Sequence, residues 1–327
     1  MSVAGVISAL LQIALVAVGS PLLVGVMRQI RARLEGRAGA GVLQPWRDLR
    51  KLARKQPITP RGTSEVFRTA PLLMLATTVA VVAVAPFVTI VSVPAAGTDL
   101  FVVVALLTLG AAVLALAGLD TGTAFGGMGA SREITILALV EPTLLVAIFA
   151  LSVPVGSTDL ADIVTSILHD PSRAITPANL LAGVALGLAV VAETGRLPVD
   201  NPSTHLELTM VHEAMVLEYA GPDLALVELA SAMRLSVFLG LWATLFAPWG
   251  IAADASAVGL ALGTLIFTVK VTALGAALAA GEVFLAKLRL FRVPELLAGS
   301  FVMPLRRSSA DSRRPNCHRC APGCTHR

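Results

Sequence analysis

Four ionisable residues lie inside otherwise apolar runs of this chain: Glu141, Glu228, Arg234 and Lys270. A charge placed in mid-bilayer costs about 2.5–3.5 kcal/mol on insertion scales, so such a residue is by default a functional-site candidate. The chemistry on offer is proton exchange, because a carboxylate out of water holds its proton more tightly and can trade it near neutral pH. The alternative is an ion pair buried between helices. A second group lies in residues 193–223, where Glu193, Asp200, Glu207, Glu213, Glu218 and Asp223 face a single base, Arg196, for a net charge of −5. His212-Glu213 does not continue into a zinc-protease motif, since residue 216 is Val and not His.

The elements that must position these groups are membrane helices. Of the 327 residues, 56% are hydrophobic and 14% charged, and mean hydropathy is +0.81. A chain this apolar cannot cover a soluble core with polar surface, and it is equally far from the composition of disorder. A membrane span needs about 20 mostly apolar residues. Seven such runs are present, at 2–27, 69–98, 100–119, 134–158, 174–192, 224–253 and 255–281. The expected fold is an all-α polytopic transmembrane bundle of seven spans, occupying residues 1–302. The first run is not read as a signal peptide, because Arg28 follows its apolar stretch.

Arg and Lys placement sets the orientation. Residues 28–68 carry eleven of them, Arg132, Arg196, Lys287, Arg289 and Arg292 fall on the same side, and the opposite side has Arg173 alone. The N-terminus is therefore expected outside, with 28–68, 120–133, 193–223 and the region after 281 cytoplasmic in a cell-membrane protein. Within 28–68, Pro45 suits a helix start, and Trp46, Leu49, Leu52 and Ala53 recur at helical spacing. This predicts an in-plane amphipathic helix. It either roofs a cavity or docks a partner, or it serves as an anchor to anionic lipid. Residues 120–133 hold four glycines but lack the Lys-Ser/Thr ending of a phosphate loop, so a tight interhelical loop or a subunit seam is expected. In 193–223, Asn201-Pro202 or Thr204-x-x-Glu207 can start a helix that should end near Gly221-Pro222. On it Glu207 and Glu218 would share one face, and His205, His212 and Tyr219 another.

Three segments together resemble a known family. They are Glu193-Thr-Gly-Arg-Leu-Pro-Val-Asp-Asn-Pro-Ser-Thr-His-Leu-Glu207 with His212-Glu213 and Leu217-Glu218-Tyr219, then Arg31-Ala-Arg-Leu-Glu-Gly-Arg37 with Trp46-Arg47-Asp48-Leu49-Arg50-Lys51, and Gly118-Leu-Asp120 through Ser131-Arg132-Glu133. They are similar to the loops of the membrane anchor subunit of group 4 nickel–iron hydrogenases of the formate hydrogenlyase type, which is homologous to subunit 1 of respiratory complex I. The resemblance runs from residue 1 to about 302. It implies a non-catalytic subunit of an oxidoreductase complex with no redox centre of its own, the nickel–iron and iron–sulfur centres lying in partner subunits. It also implies that the subunit seats the soluble redox arm on its cytoplasmic loops and couples electron transfer to proton movement. In the complex I branch the same loops line a quinone chamber. The implied partners are hydrogenase large and small subunits, antiporter-like membrane subunits and the bilayer, with no nucleic acid.

On this resemblance Glu193, Asp200, Glu207, Glu213 and Glu218 line the coupling region and Glu141 and Glu228 relay protons in the membrane. Lys270 joins them as a charge inside a span. Docking or cavity positions are Arg33, Arg37, Trp46, Arg47, Asp48, Asp120, Arg132, Glu133, Arg196, His205 and His212. A self-contained transporter would predict internal repeats, and none is visible in the sequence. The family pattern calls for an eighth span following Arg292, where this chain has only the 13-residue apolar stretch 293–305, which contains Glu295 and is too short to span. Residues 303–327 are basic and hold Cys317, Cys320 and Cys324 beside His318 and His326, a spacing too compressed for a standard zinc finger. A frameshifted reading of the last helix accounts for both features.

Overall fold

A computed structural model describes residues 3–90, 99–170, 176–196, 211–252 and 256–284. The expectations for Asp200, His205 and Glu207, for the apolar stretch 293–305 and for the tail 303–327 lie outside the described residues. Ten helices are found there: α1 Val3–Leu34, α2 Gln44–Ala53, α3 Glu65–Val84, α4 Leu100–Asp120, α5 Ala124–Ser152, α6 Leu160–His169, α7 Pro177–Glu193, α8 His212–Val216, α9 Gly221–Phe246 and α10 Ala257–Phe284. Among the described residues there is no strand, only the isolated bridges Thr89–Ala252 and Asp99–Asp159. The all-α membrane bundle is as expected, but the span count is not. Among the described residues, six helices are long and apolar enough to cross a membrane. The fifth expected span is α7, 17 residues or about 25 Å, against a hydrocarbon core of about 30 Å.

Local chemistry sets the helix boundaries. Ser64, Asp99, Thr123, Asp159 and Thr176 cap the starts of α3 to α7, each side chain accepting a hydrogen bond from a backbone N–H two or three residues on. The run 69–98 stops being helical at Val84 because Pro86 follows, and the residue before a proline is driven to extended backbone; Ala85 has ψ 137°. Pro86 also lacks the N–H that Val82 O would have accepted. Buried Gln12 of α1 supplies it, its Nε2 donating to the carbonyls of Val82 and Ala85 while its Oε1 accepts from Val88 N at 3.3 Å. The expected loop 120–133 shrinks to three residues, because Thr123 starts α5 early. Its glycines serve close packing: a Cβ on Gly126 would lie 2.5 Å from Gly118 O and one on Gly129 2.9 Å from Val211 O. The helix α6 has no counterpart among the expected spans. It buries Leu160, Ile163, Val164 and Ile167, one face at helical spacing.

The helix expected across 202–221 is corrected in its described part. Only His212–Val216 is helical, and Gly221 opens α9 with φ +63° instead of ending a helix. The break lets Tyr219 stack on Phe67, with ring centroids 4.1 Å apart, and donate from its hydroxyl to Phe67 O at 2.9 Å. In a regular helix that carbonyl would accept from residue 71, which is Pro71. Burial, with Asp223 and Asp120 adding to it, raises the Tyr219 pKa, so the phenol stays protonated and keeps donating. Tyr219→Phe is expected to keep the stack but strand a buried carbonyl, costing about 1–3 kcal/mol. Thermal unfolding of the detergent-solubilised subunit would report it, and an unchanged midpoint would contradict this role.

The segments expected on one membrane side do share one end of the bundle. Asp120 accepts from Ser64 N at 2.7 Å, Met215 of α8 packs on Gly118 and Gly129, and Arg31 of α1 meets Glu282 of α10.

Candidate functional site

At this end α1, α2, α7, α8, α9 and α10 enclose a cavity of about 460 Å³. The roof is α2, which packs on α1 and α9 and presents Pro45, Asp48, Leu49 and Leu52 to the cavity. Arg47, Arg50 and Lys51 of the same helix are exposed. Apolar walls come from Pro21, Val24, Val216, Val227 and Leu235. The remaining lining is charged. Glu193 ends α7, Arg196 follows it, His212 and Glu213 come from α8, Glu228 and Arg234 from α9, Arg28 and Arg31 from α1, and Glu282 from α10.

Two buried ion networks organise these charges. In the first, Arg234 donates from Nη2 to Glu193 Oε1, and the side chains are 8% and 2% exposed. Arg234 also lies 5.7 Å from the Phe238 ring centroid and passes close to Gly110, where an added Cβ would be 3.5 Å from Nη1. In the second, Arg31 Nη2 is 2.5 Å from Glu282 Oε2 and Arg196 Nη1 is 3.5 Å from Glu282 Oε1. Burial pulls the Arg196 pKa below its usual value while Glu282 pulls it back up; Arg31 and Arg28 lower it further. A guanidinium stays charged at neutral pH under such a shift. Glu193 Oε2, Arg234 Nε and Glu282 Oε1 are buried without a hydrogen bond. His212 Nε2 and Ser231 Oγ are 3.3 Å apart, and Gln44 Nε2 donates to Asp48 at 2.9 Å.

Of the residues singled out from sequence, the cavity brings together Asp48, Glu193, Arg196, His212, Glu213, Glu228 and Arg234. Others lie elsewhere. Glu141 is half-buried on α5 and has no ion pair among the described residues. Lys270 Nζ donates to the carbonyls of Ala247 and Trp249 at the far end of α9, where a helix C-terminus favours a cation. Glu218 and Trp46 are half-buried beside the cavity wall elements, and Arg33 and Arg47 are exposed. Arg37 pairs with Glu35, Asp120 is engaged with Ser64, and Arg132 and Glu133 are half-buried on the first turns of α5. Sequence reading missed Glu282, Arg31 and Arg28 as members of the site. Glu282 directly follows the apolar run 255–281 and reads as an ordinary boundary charge. Arg234 carried a signal, an arginine within an apolar run, but not the identity of its partner. Among the described residues no group of His, Cys, Asp and Glu is placed to hold a metal ion.

A family model described as NADH dehydrogenase matches residues 7–305. The chain belongs to the NADH dehydrogenase family. This family member is 35% identical over 266 residues to hydrogenase-4 component C of Escherichia coli K12, covering 81% of this chain and 83% of that one. It is 34% identical over 283 residues to formate hydrogenlyase subunit 4 of the same strain, covering 86% and 91%. One subunit of the NADH-quinone oxidoreductase of Ralstonia pickettii is 30% identical over 242 residues, covering 71% and 67%. The fold is that of a chain in the membrane-bound sulfane sulfur reductase, an archaeal respiratory membrane complex, with a TM-score of 0.75, 20% identity and coverage of 91% and 98%. This NADH dehydrogenase family member is a multi-pass membrane protein whose curated relatives are named as components or subunits of hydrogenase, formate hydrogenlyase and quinone oxidoreductase systems.

Proposed function

We propose that this chain is the membrane subunit of a formate hydrogenlyase-type or other energy-converting hydrogenase complex, anchoring its soluble redox arm and coupling electron transfer to proton movement. The observation that carries this reading is the cavity itself. Four carboxylates, Glu193, Glu213, Glu228 and Glu282, line a space of about 460 Å³ under a helix whose outer face is basic. Glu193 and Glu282 are buried, whereas Glu213 and Glu228 are exposed on the cavity wall, and carboxylates spread across such a water boundary can hold and pass protons. Exposed Arg47, Arg50 and Lys51 offer a surface for an acidic partner directly above them. The higher identity to the two hydrogenase-type relatives favours that branch over the quinone oxidoreductases. In this reading, electron transfer in the soluble arm alters the charge or conformation at the cavity roof. Glu213 and Glu228 then exchange protons, and Glu141 carries the change deeper into the membrane.

Affinity purification of the tagged chain in mild detergent, with mass spectrometry, should recover hydrogenase-like soluble subunits and antiporter-like membrane subunits. Recovery of the chain alone would remove the anchoring role. The coupling role has a separate test. Complexes carrying Glu228→Gln should assemble in normal amounts, because Glu228 has no ion pair among the described residues. Proton movement in vesicles should nevertheless fall about tenfold or more. Undiminished proton movement would leave only a scaffold.

A second reading, a quinone chamber in a complex I-like dehydrogenase, is favoured by one feature. The cavity volume lies in the range of small-molecule sites, about 300–1,000 Å³, and its walls mix apolar and charged side chains. Saturable binding of a short-chain quinone by the purified subunit would support it, and absence of binding would exclude it.

A further inference from the structure

Glu282 is 1% exposed, the least exposed charged side chain among the cavity's ion pairs. It lies near the end of a helix that otherwise buries little of its surface. Its carboxylate is shared by two arginines from distant segments, Arg31 at 2.5 Å and Arg196 at 3.5 Å. Arg28, one turn before Arg31, also lines the cavity and adds to the repulsion on Arg196. Three guanidinium groups, from α1 and from the segment after α7, thus line the same cavity, and Glu282 of α10 is the acid in ion-pair contact with two of them. The Arg196 contact, at 3.5 Å, is the longer of the two. From α9, the other helix packed on α10, Arg234 is committed to Glu193 and Glu228 faces the cavity. Asp48 of the roof and His212 and Glu213 of α8 complete the titratable and charged lining.

We infer that Glu282 is a positioning residue: by holding Arg31 and Arg196 together in the wall, it sets the positive side of the field in which the cavity carboxylates exchange protons. This deepens the coupling reading and rests on it. The sign of the consequence follows from charge. Glu282→Gln keeps the shape but removes the negative charge, leaving Arg28, Arg31 and Arg196 unopposed. The field at the carboxylates becomes more positive, so they release protons at lower pH. A unit charge about 10 Å away at an effective dielectric near 20 moves a titration by about one pH unit. Glu282→Asp retains the charge and the titration. Arg196→Gln removes a positive charge and moves the titration the other way.

The test uses the full chain in lipid nanodiscs. The protonated-carboxyl band is followed by infrared difference spectroscopy as a function of pH, in the wild type and in E282Q, E282D and R196Q. The expected result is a shift of about one unit to lower pH for E282Q, none for E282D, and a shift to higher pH for R196Q. If E282Q only deletes one group and leaves the rest of the titration in place, or if E282D shifts as far as E282Q, the inference is overturned. Should E282Q fail to accumulate, an unmoved titration in R196Q overturns it equally. The measurement needs no partner and no electron donor, so its failure is separable from failure of the purification and proton-movement tests.

Discussion

Replacing Arg234 by leucine is expected to cost about 3–5 kcal/mol and to strip most of the subunit from the membrane fraction. The reason is the asymmetry of buried charge. With both partners present, desolvation is offset by attraction; with one removed, the other is left in low dielectric with nothing to compensate it. Glu193 is 2% exposed and already has one oxygen, Oε2, without a hydrogen bond, so loss of Arg234 strands the whole carboxylate. The loss is comparable to much of a domain's net stability, which is about 5–15 kcal/mol. The paired variant Glu193→Leu with Arg234→Leu should recover much of it, because neither charge remains to be solvated. Abundance in membranes and thermal unfolding in detergent, measured for both singles and the double, close the cycle. A stable Arg234→Leu single variant would show that the pair is not the strut between α7 and α9 that its burial implies.

Gly221→Val should cost about 2–5 kcal/mol and loosen the cavity roof. Gly221 has φ +63°, which a residue with a Cβ holds at a cost of about 1–2 kcal/mol. A Cβ there would also lie 2.6 Å from Gln56 O and 3.0 Å from Gln56 C. These are backbone atoms of the segment leaving α2, so no rotamer change relieves the contact, and overpacking of this kind adds about 1–3 kcal/mol. The start of α9 and the end of the roof must then move apart. Hydrogen–deuterium exchange should show faster exchange of the α2 amides in the variant. Unchanged protection of residues 44–55 would show that the roof is held without this contact.

Both effects arise from contacts that no pattern in the chain announces, yet much else was legible. The apolar runs located every long helix, because the bilayer demands about 20 such residues wherever it is crossed. Arg and Lys asymmetry grouped the loops that the structure gathers at one end. Pro45 and the spacing of Leu49 and Leu52 marked the roof helix, and the acids of 193–223 marked a cavity wall. Boundaries were less legible. The run 69–98 contains Pro86, which ends α3 at Val84 despite the apolar residues beyond it. The supposed helix to Gly221 breaks after Val216, because Tyr219 is drawn to the carbonyl that Pro71 leaves open. Lys270 stood out as a charge inside an apolar run, and the fold places it on the carbonyls of Ala247 and Trp249, just past the end of α9.

Sequence alone therefore determined the membrane class, the long helices among the described residues and the end at which the charged segments meet, since hydrophobic length and charge bias are sums over neighbouring residues. Tertiary structure decided which charges share a site. Glu282 and Arg31 are 251 positions apart and Glu193 and Arg234 are 41 apart. Ion pairs form through distance in space and low dielectric, and only helix packing brings such residues within a few ångströms of each other away from water.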